Sequence, residues 1–207
     1  MPADSPPSPV TSPPPPAPRA GGRPAPSRRR PPRWLVALGA IIVVAAITFA
    51  AISLFGGDDD PDTLQIGKPR VVSQADLSSY AHSAGRPVYW AGPAADGYKL
   101  ELTETEGQRV FVRYLSESAE AGDPRATFTT IATYPMQAAA DKLRSYRSRA
   151  GAVPGKTEAG AETLYYKKTP SSVYVAGENS DYLIEVYAPQ PKAALQLAQS
   201  SSLVQVP

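Results

Sequence analysis

The sequence predicts an α+β protein, with one transmembrane helix followed by an extracytoplasmic antiparallel sheet packed with two or three helices. Three observations predict this class. Residues 34–55 form an uninterrupted apolar run. Beyond it, short segments alternate apolar and polar residues, as β-strands do, and other segments show helical spacing. Residues 73–207 are numerous enough to bury one ordinary hydrophobic core.

The apolar run at residues 34–55 is predicted to cross the membrane. At about 1.5 Å per residue its helix would be roughly 33 Å long, and the hydrocarbon core is about 30 Å thick. Six arginines lie among residues 1–33, and aspartates dominate residues 58–62. Because Lys and Arg stay in the cytoplasm, we expect a single-pass protein of the cell membrane, with its N-terminus cytoplasmic and residues 56–207 outside. A cleaved signal peptide fits less well, since its apolar region is shorter.

The segments on either side of the run are predicted to lack a core. Residues 1–33 hold thirteen of the 24 prolines, and such a Pro/Arg-rich tail cannot bury enough apolar surface to fold. Its polyproline stretch either docks on an aromatic groove of a cytoplasmic partner or is only a spacer. Residues 56–72 are an acidic linker without the glycine and glutamate of a calcium loop. The arginines account for the formal net charge of +2, so we expect no nucleic-acid partner.

The predicted outer domain, residues 73–207, begins with a helix and a hairpin. Ser73 and Asp76 match a capping box, and Gly85 is well placed to end the helix. After a strand at 88–91 and a turn at 92–97, the strongest hairpin signal joins two alternating segments through Glu106-Gly107. These segments lie at residues 98–103 and 109–115.

The C-terminal part is predicted to continue as strands and helices, with the helices on one face of the sheet. The segment IATY at residues 131–134 is similar to IEVY at 184–187. Either an internal duplication or the independent rise of the same apolar/polar pattern explains the similarity. The predicted elements are a loop at 116–125, a strand at 127–134, a helix at 136–149 opened by Pro135, a loop at 151–161, strands at 163–168, 172–176 and 182–187 with turns at 169–170 and 177–179, a helix from Pro191 and an edge strand at 203–206.

The inventory of catalytic residues indicates a non-enzymatic protein. His82 is the only histidine and the chain has no cysteine. Nucleophilic triads and common zinc sites are built from several such residues, so the sequence disfavours both. No glycine-rich phosphate loop is present, and we expect neither cofactor nor metal. Glu101, Glu104 and Glu106 are the carboxylates left for acid–base hydrolysis. Glu104 and Glu106 flank a predicted exposed turn, where raised pKa values are not expected. Glu101 and Glu104 point to opposite faces of a strand. Both arrangements disfavour that chemistry.

The eleven tyrosines are the most suggestive residues. Most lie on predicted strands, and adjacent aromatic residues on a strand point to opposite faces. Outward rings would stack on a sugar or a partner protein; otherwise helices or a second layer cover them. The candidate binding surface comprises Tyr89, Trp90, Tyr165, Tyr166 and Tyr174.

Four segments resemble stretches that recur in uncharacterised single-pass membrane proteins of actinobacteria. They are GRPVYWAGP at 85–93, RVFVRYL at 109–115, ATYP at 132–135 and IEVY at 184–187. The resemblance covers residues 74–207. It implies a cytoplasmic tail, one span and an extracytoplasmic α+β domain, and it carries over no activity.

These features predict a membrane-anchored extracytoplasmic binding or assembly module of the bacterial cell envelope, without catalysis. The alternative is a transmembrane regulator whose Pro/Arg-rich tail docks a cytoplasmic partner. The expected partners are the lipid bilayer and an envelope protein or polysaccharide.

Overall fold

The computed structural model describes residues 65–207. The predicted tail, the transmembrane run at 34–55 and most of the acidic linker lie outside the described residues. From residue 65 onward, no helix has both the length and the apolar character needed to cross a membrane.

The described residues form an α+β fold built on an eight-stranded antiparallel sheet with three helices, which confirms that part of the prediction. The strands lie in the order β1-β3-β4-β5-β9-β8-β7-β6, and β10 pairs with β2 in a second, two-stranded sheet. In chain order the elements are β1 (Arg70–Val72), α1 (Gln74–Ser83), β2 (Tyr89–Trp90), β3 (Tyr98–Thr105), β4 (Arg109–Ser116), β5 (Thr129–Pro135), α2 (Ala139–Tyr146), β6 (Ala152–Lys156), β7 (Glu162–Tyr166), β8 (Thr169–Ala176), β9 (Tyr182–Tyr187), α3 (Pro191–Gln199) and β10 (Val204–Gln205).

Local signals at both ends of α1 confirm its predicted limits. The Ser73 hydroxyl accepts a hydrogen bond from the Asp76 amide at 3.1 Å, and the Asp76 carboxylate accepts one from the Ser73 amide at 3.0 Å. This reciprocal pair satisfies amides that the first helical turn leaves without partners. At the other end Gly85 has a φ of +62°, a conformation that glycine adopts without a Cβ penalty.

The helices cover both faces of the sheet, so the prediction that they share one face is wrong. Helix α2 packs on the face that carries Phe111, Tyr134 and Leu164. Helices α1 and α3 lie on the opposite face, over Leu102 and Val186 respectively. Consecutive strand residues point to opposite sides and both sides here are apolar, so an eight-stranded sheet needs cover on each.

Two edge strands were not predicted, and one helix is shorter than predicted. Strand β6 contains Pro154 and Gly155, which disfavour strands, yet proline is tolerated where its missing N–H faces away from the sheet. A Cβ at Gly155 would lie 2.9 Å from the Thr163 hydroxyl. Strand β1 falls in the predicted linker.

Helix α2 begins at Ala139 because Ala138 has a φ of +51° and its amide donates to the Asp181 carboxylate.

The two similar segments belong to β5 and β9, which are neighbours at the centre of the sheet. Strands β3, β4 and β5 form a meander on one side of this pair. On the other side lie β9, β8 and β7, whose order across the sheet is the reverse of their order in the chain. The helices that follow β5 and β9 lie on opposite faces. The two halves therefore share a strand arrangement and differ in where their helices pack.

Candidate functional site

A cavity of about 380 Å³ opens on the α2 face of the sheet. It lies beside the area that α2 covers, between the long β4–β5 loop and the turn that joins β7 to β8. Its floor is formed by β4, β5, β8 and β9. The lining residues are Phe111, Arg113, Pro124, Arg125, Ala126, Phe128, Thr130, Ala132, Tyr134, Lys168, Thr169, Pro170, Ser171, Ser172, Glu185 and Tyr187.

A buried ion pair holds the β4–β5 loop, residues 117–128, against the sheet. Arg113 of β4 donates to Glu101 of β3 at 2.7 Å, and the two side chains are only 5% and 0% exposed. Both partners also bind the loop backbone. The second Glu101 oxygen accepts from the Gly122 amide at 2.5 Å, and Arg113 donates to the Asp123 carbonyl at 2.7 Å. Both members of the buried pair thus contact the loop backbone and position one wall of the cavity.

Aromatic contacts fix the same wall further along the loop. The guanidinium groups of Arg113 and Arg125 lie 5.2 and 5.6 Å from the centroid of the buried Phe128 ring. The Tyr187 hydroxyl donates to the Ala126 carbonyl at 2.7 Å, which ties the loop to β9. Arg125 also forms a surface pair with Asp123, and these hydrogen bonds lower the pKa of Asp123 to about 2.

Glu185 places a carboxylate on the floor of the cavity. Its register partners are Ala132 on β5 and Tyr174 on β8, and cross-strand partners share a face. The residue is 3% exposed. The Tyr134 hydroxyl donates to it at 2.8 Å. Throughout residues 65–207, no lysine, arginine or histidine forms an ion pair with this carboxylate.

The surroundings of Glu185 oppose its charge. Burial raises the pKa of the Glu185 carboxyl, and the hydroxyls of Ser172, Tyr134 and Tyr174 offset only part of this effect. Burial, and after it the neighbouring Glu185 carboxylate, raise the pKa of Tyr134 well above its ordinary value. The Tyr174 hydroxyl is buried beside the same carboxylate, and burial together with the Glu185 charge raises the pKa of Tyr174. A buried carboxylate without a cationic partner costs free energy.

The five residues of the candidate binding surface do not lie together. Trp90 and Tyr174 are 3% and 1% exposed and belong to the cores under α1 and α2. Tyr89 and Tyr165 are half-buried against the α3 core, and Tyr166 packs on the opposite side, at the α2 core. Each ring therefore contributes to packing where it lies, and the sheet carries no single aromatic face made of all five.

The carboxylates considered for hydrolysis serve other contacts or lie apart. Glu101 is held by Arg113, and Glu104 binds Arg86 and the Tyr80 hydroxyl at 2.5 and 2.7 Å. Glu106 is exposed in the β3–β4 turn, and His82 is exposed on α1. Within the part of the chain that the structure describes, no group of three or more His, Cys, Asp or Glu side chains could hold a metal ion.

Sequence reasoning missed Glu185, although a signal was present. The segment YLIEVY is apolar on both sides of the glutamate, which is the pattern of a central strand buried on both faces. A charge in such a strand must be buried, and buried charges are rare unless they are paired or functional. Comparisons of the chain with protein-family models, curated proteins and solved structures found no significant match.

The first prediction concerns the ion pair under the β4–β5 loop. Arg113→Met leaves the Glu101 carboxylate buried without its counterion, so the free energy of unfolding should fall by about 3–5 kcal/mol. Urea denaturation of the two proteins measures this. Arg125→Met is the matched control, because it removes a guanidinium that also stacks on Phe128 but pairs at the surface. Equal unfolding midpoints for Arg113→Met and Arg125→Met would contradict a structural role for the buried pair.

The second prediction concerns the charge of Glu185. An acid whose pKa is raised by folding destabilises the native state once it ionises, so its effect grows as pH rises above the ordinary value of 4.5. Glu185→Gln keeps an oxygen acceptor for Tyr134 and cannot ionise. We expect the melting temperature of Glu185→Gln minus that of the wild type to increase as the pH is raised from about 4 to about 8. A difference that stays constant over this range would contradict the raised pKa.

Proposed function

We propose that the described domain is a non-catalytic binding module of the bacterial cell envelope. The predicted helix at 34–55 holds it outside the membrane, and the cavity over β5, β8 and β9 receives a small organic ligand or a ligand side chain. The observation that carries the proposal is Glu185, a buried carboxylate that faces the cavity without a cationic partner among residues 65–207.

The shape of the cavity supports binding. Its volume, about 380 Å³, falls in the range of roughly 300–1,000 Å³ that is typical of small-molecule sites. Eight of its sixteen lining residues are aromatic or aliphatic, and the hydroxyls of Tyr134 and Ser172 lie at the Glu185 carboxylate. A second hollow, of about 510 Å³ on the other face, is lined by no charged side chain. The Glu185 cavity is therefore the better candidate site.

The composition of the cavity favours binding over catalysis. Ser172 lies beside Glu185, but a serine nucleophile needs a base such as histidine, and the only histidine of the chain is exposed on α1, on the other face of the sheet. Glu101 and Glu185 do not act as an acid–base pair in this proposal, since Arg113 and the Gly122 amide occupy the Glu101 oxygens.

The third prediction tests the cavity with 2-phenylethanol as a neutral probe. Ala132 lies on the cavity floor opposite Glu185, so Ala132→Phe should fill the space and abolish binding that the wild type shows by ligand-observed NMR. Ala126→Phe narrows the mouth of the cavity from an exposed position and should weaken binding without disturbing the core. Ala95→Phe, in the second hollow, is the control. Absence of binding to the wild type, or binding by all variants alike, would contradict the proposal.

The fourth prediction tests the location of the domain. The chain has no cysteine, so single cysteines report accessibility without background. A membrane-impermeant maleimide should label Lys142→Cys in intact cells, because residue 142 is exposed on α2. Ser5→Cys, in the predicted cytoplasmic tail, should react only after the cells are lysed. The reverse labelling pattern would refute the proposed topology.

A further inference from the structure

The charged side chains around the cavity differ in whether they already have an ion-pair partner. Arg113 and Arg125 line it, but each guanidinium is engaged by a carboxylate, at 2.7 and 2.5 Å respectively. Lys168 is exposed in the turn between β7 and β8. Glu185 is the one acid among the residues that line the cavity, and it lies at the buried end. A ligand that enters therefore meets two arginines already paired with carboxylates, the exposed Lys168 at the mouth, and at the floor the Glu185 carboxylate, which no cation of residues 65–207 pairs with.

The walls next to Glu185 are aromatic. Phe111 and Tyr134 meet edge to face, with ring centroids 5.9 Å apart, and Phe128 and Tyr187 line the same cavity. The π-faces of aromatic rings attract cations, by about 0.5–2 kcal/mol for each well-placed ring. The Phe128 ring already meets the guanidinium groups of Arg113 and Arg125, so it contributes an apolar wall. Aromatic walls and a buried carboxylate together favour an organic cation with an apolar body.

We infer that the ligand of this cavity carries an organic ammonium group, which pairs with Glu185 while its apolar body lies against Phe111, Phe128 and Tyr187. This inference deepens the proposed function and rests on it. Binding would supply the counterion that Glu185 lacks in the described part of the chain, and charge complementarity would give the specificity. A carboxylate ligand would place a second negative charge in the same low-dielectric space and is selected against.

Three matched probes test the inference on the full chain: 2-phenylethylammonium, 2-phenylethanol and phenylacetate. They share a phenyl body and differ in the charge of the head group. We expect 2-phenylethylammonium to bind the wild type about tenfold more tightly than 2-phenylethanol, which corresponds to about 1.4 kcal/mol. Phenylacetate should bind most weakly. In Glu185→Gln the ammonium and the alcohol should bind equally, whereas Glu158→Gln, at an exposed acid, should behave as the wild type does.

A second measurement keeps the test independent of how well Glu185→Gln folds. In the wild type the side-chain carboxyl carbon signal of Glu185 should move on addition of 2-phenylethylammonium and move much less with 2-phenylethanol. Equal affinities for the ammonium and the alcohol would overturn the ammonium inference and leave the binding cavity in place. If none of the three probes bound the wild type, both the inference and the proposed function would fail.

Discussion

The buried ion pair between Arg113 and Glu101 is the interaction on which the candidate site depends. The α2 face of an eight-stranded sheet needs more cover than one short helix supplies. The β4–β5 loop provides the rest, and it is held by backbone contacts to both members of the pair. Because the loop and α2 cover different parts of the face, a gap remains over β5, β8 and β9. That gap is the cavity, so its shape follows from how the sheet is covered.

Glu185 is a charged residue at a position where an apolar residue would make the fold more stable. The strands around it place apolar side chains on both faces, and an apolar residue at this position would extend the core under α2. A carboxylate there is buried at a cost, which three nearby hydroxyls only partly offset. Sequences that otherwise agree with their fold tend to break local rules at functional sites. The conflict at Glu185 is the reason to place the binding site here and not at the second hollow.

The parts of the fold that depend on local chemistry could be predicted from the sequence. The capping box of α1 and the β3–β4 hairpin each follow from residues close together in the chain. The edge strands depend on tertiary pairing. Strand β6 contains Pro154 and Gly155, which form a strand only where β7 offers a partner, and the three-residue strand β1 forms by pairing with β3. The distribution of helices over two faces is likewise a tertiary property. For the site, the tyrosines suggested an aromatic surface, yet Trp90 and Tyr174 are buried, while the glutamate inside an apolar strand was the informative residue.

The candidate site depends on Glu185 being a carboxylate held in a cavity without a counterion among residues 65–207. The most direct measurement is an NMR titration of its side-chain carboxyl carbon in the full-length protein without added ligand. The structure predicts a pKa above the ordinary value of 4.5, because burial outweighs the neighbouring hydroxyls. A pKa at or below that value would mean that the carboxylate is already solvated or paired, and the account of the site would be contradicted.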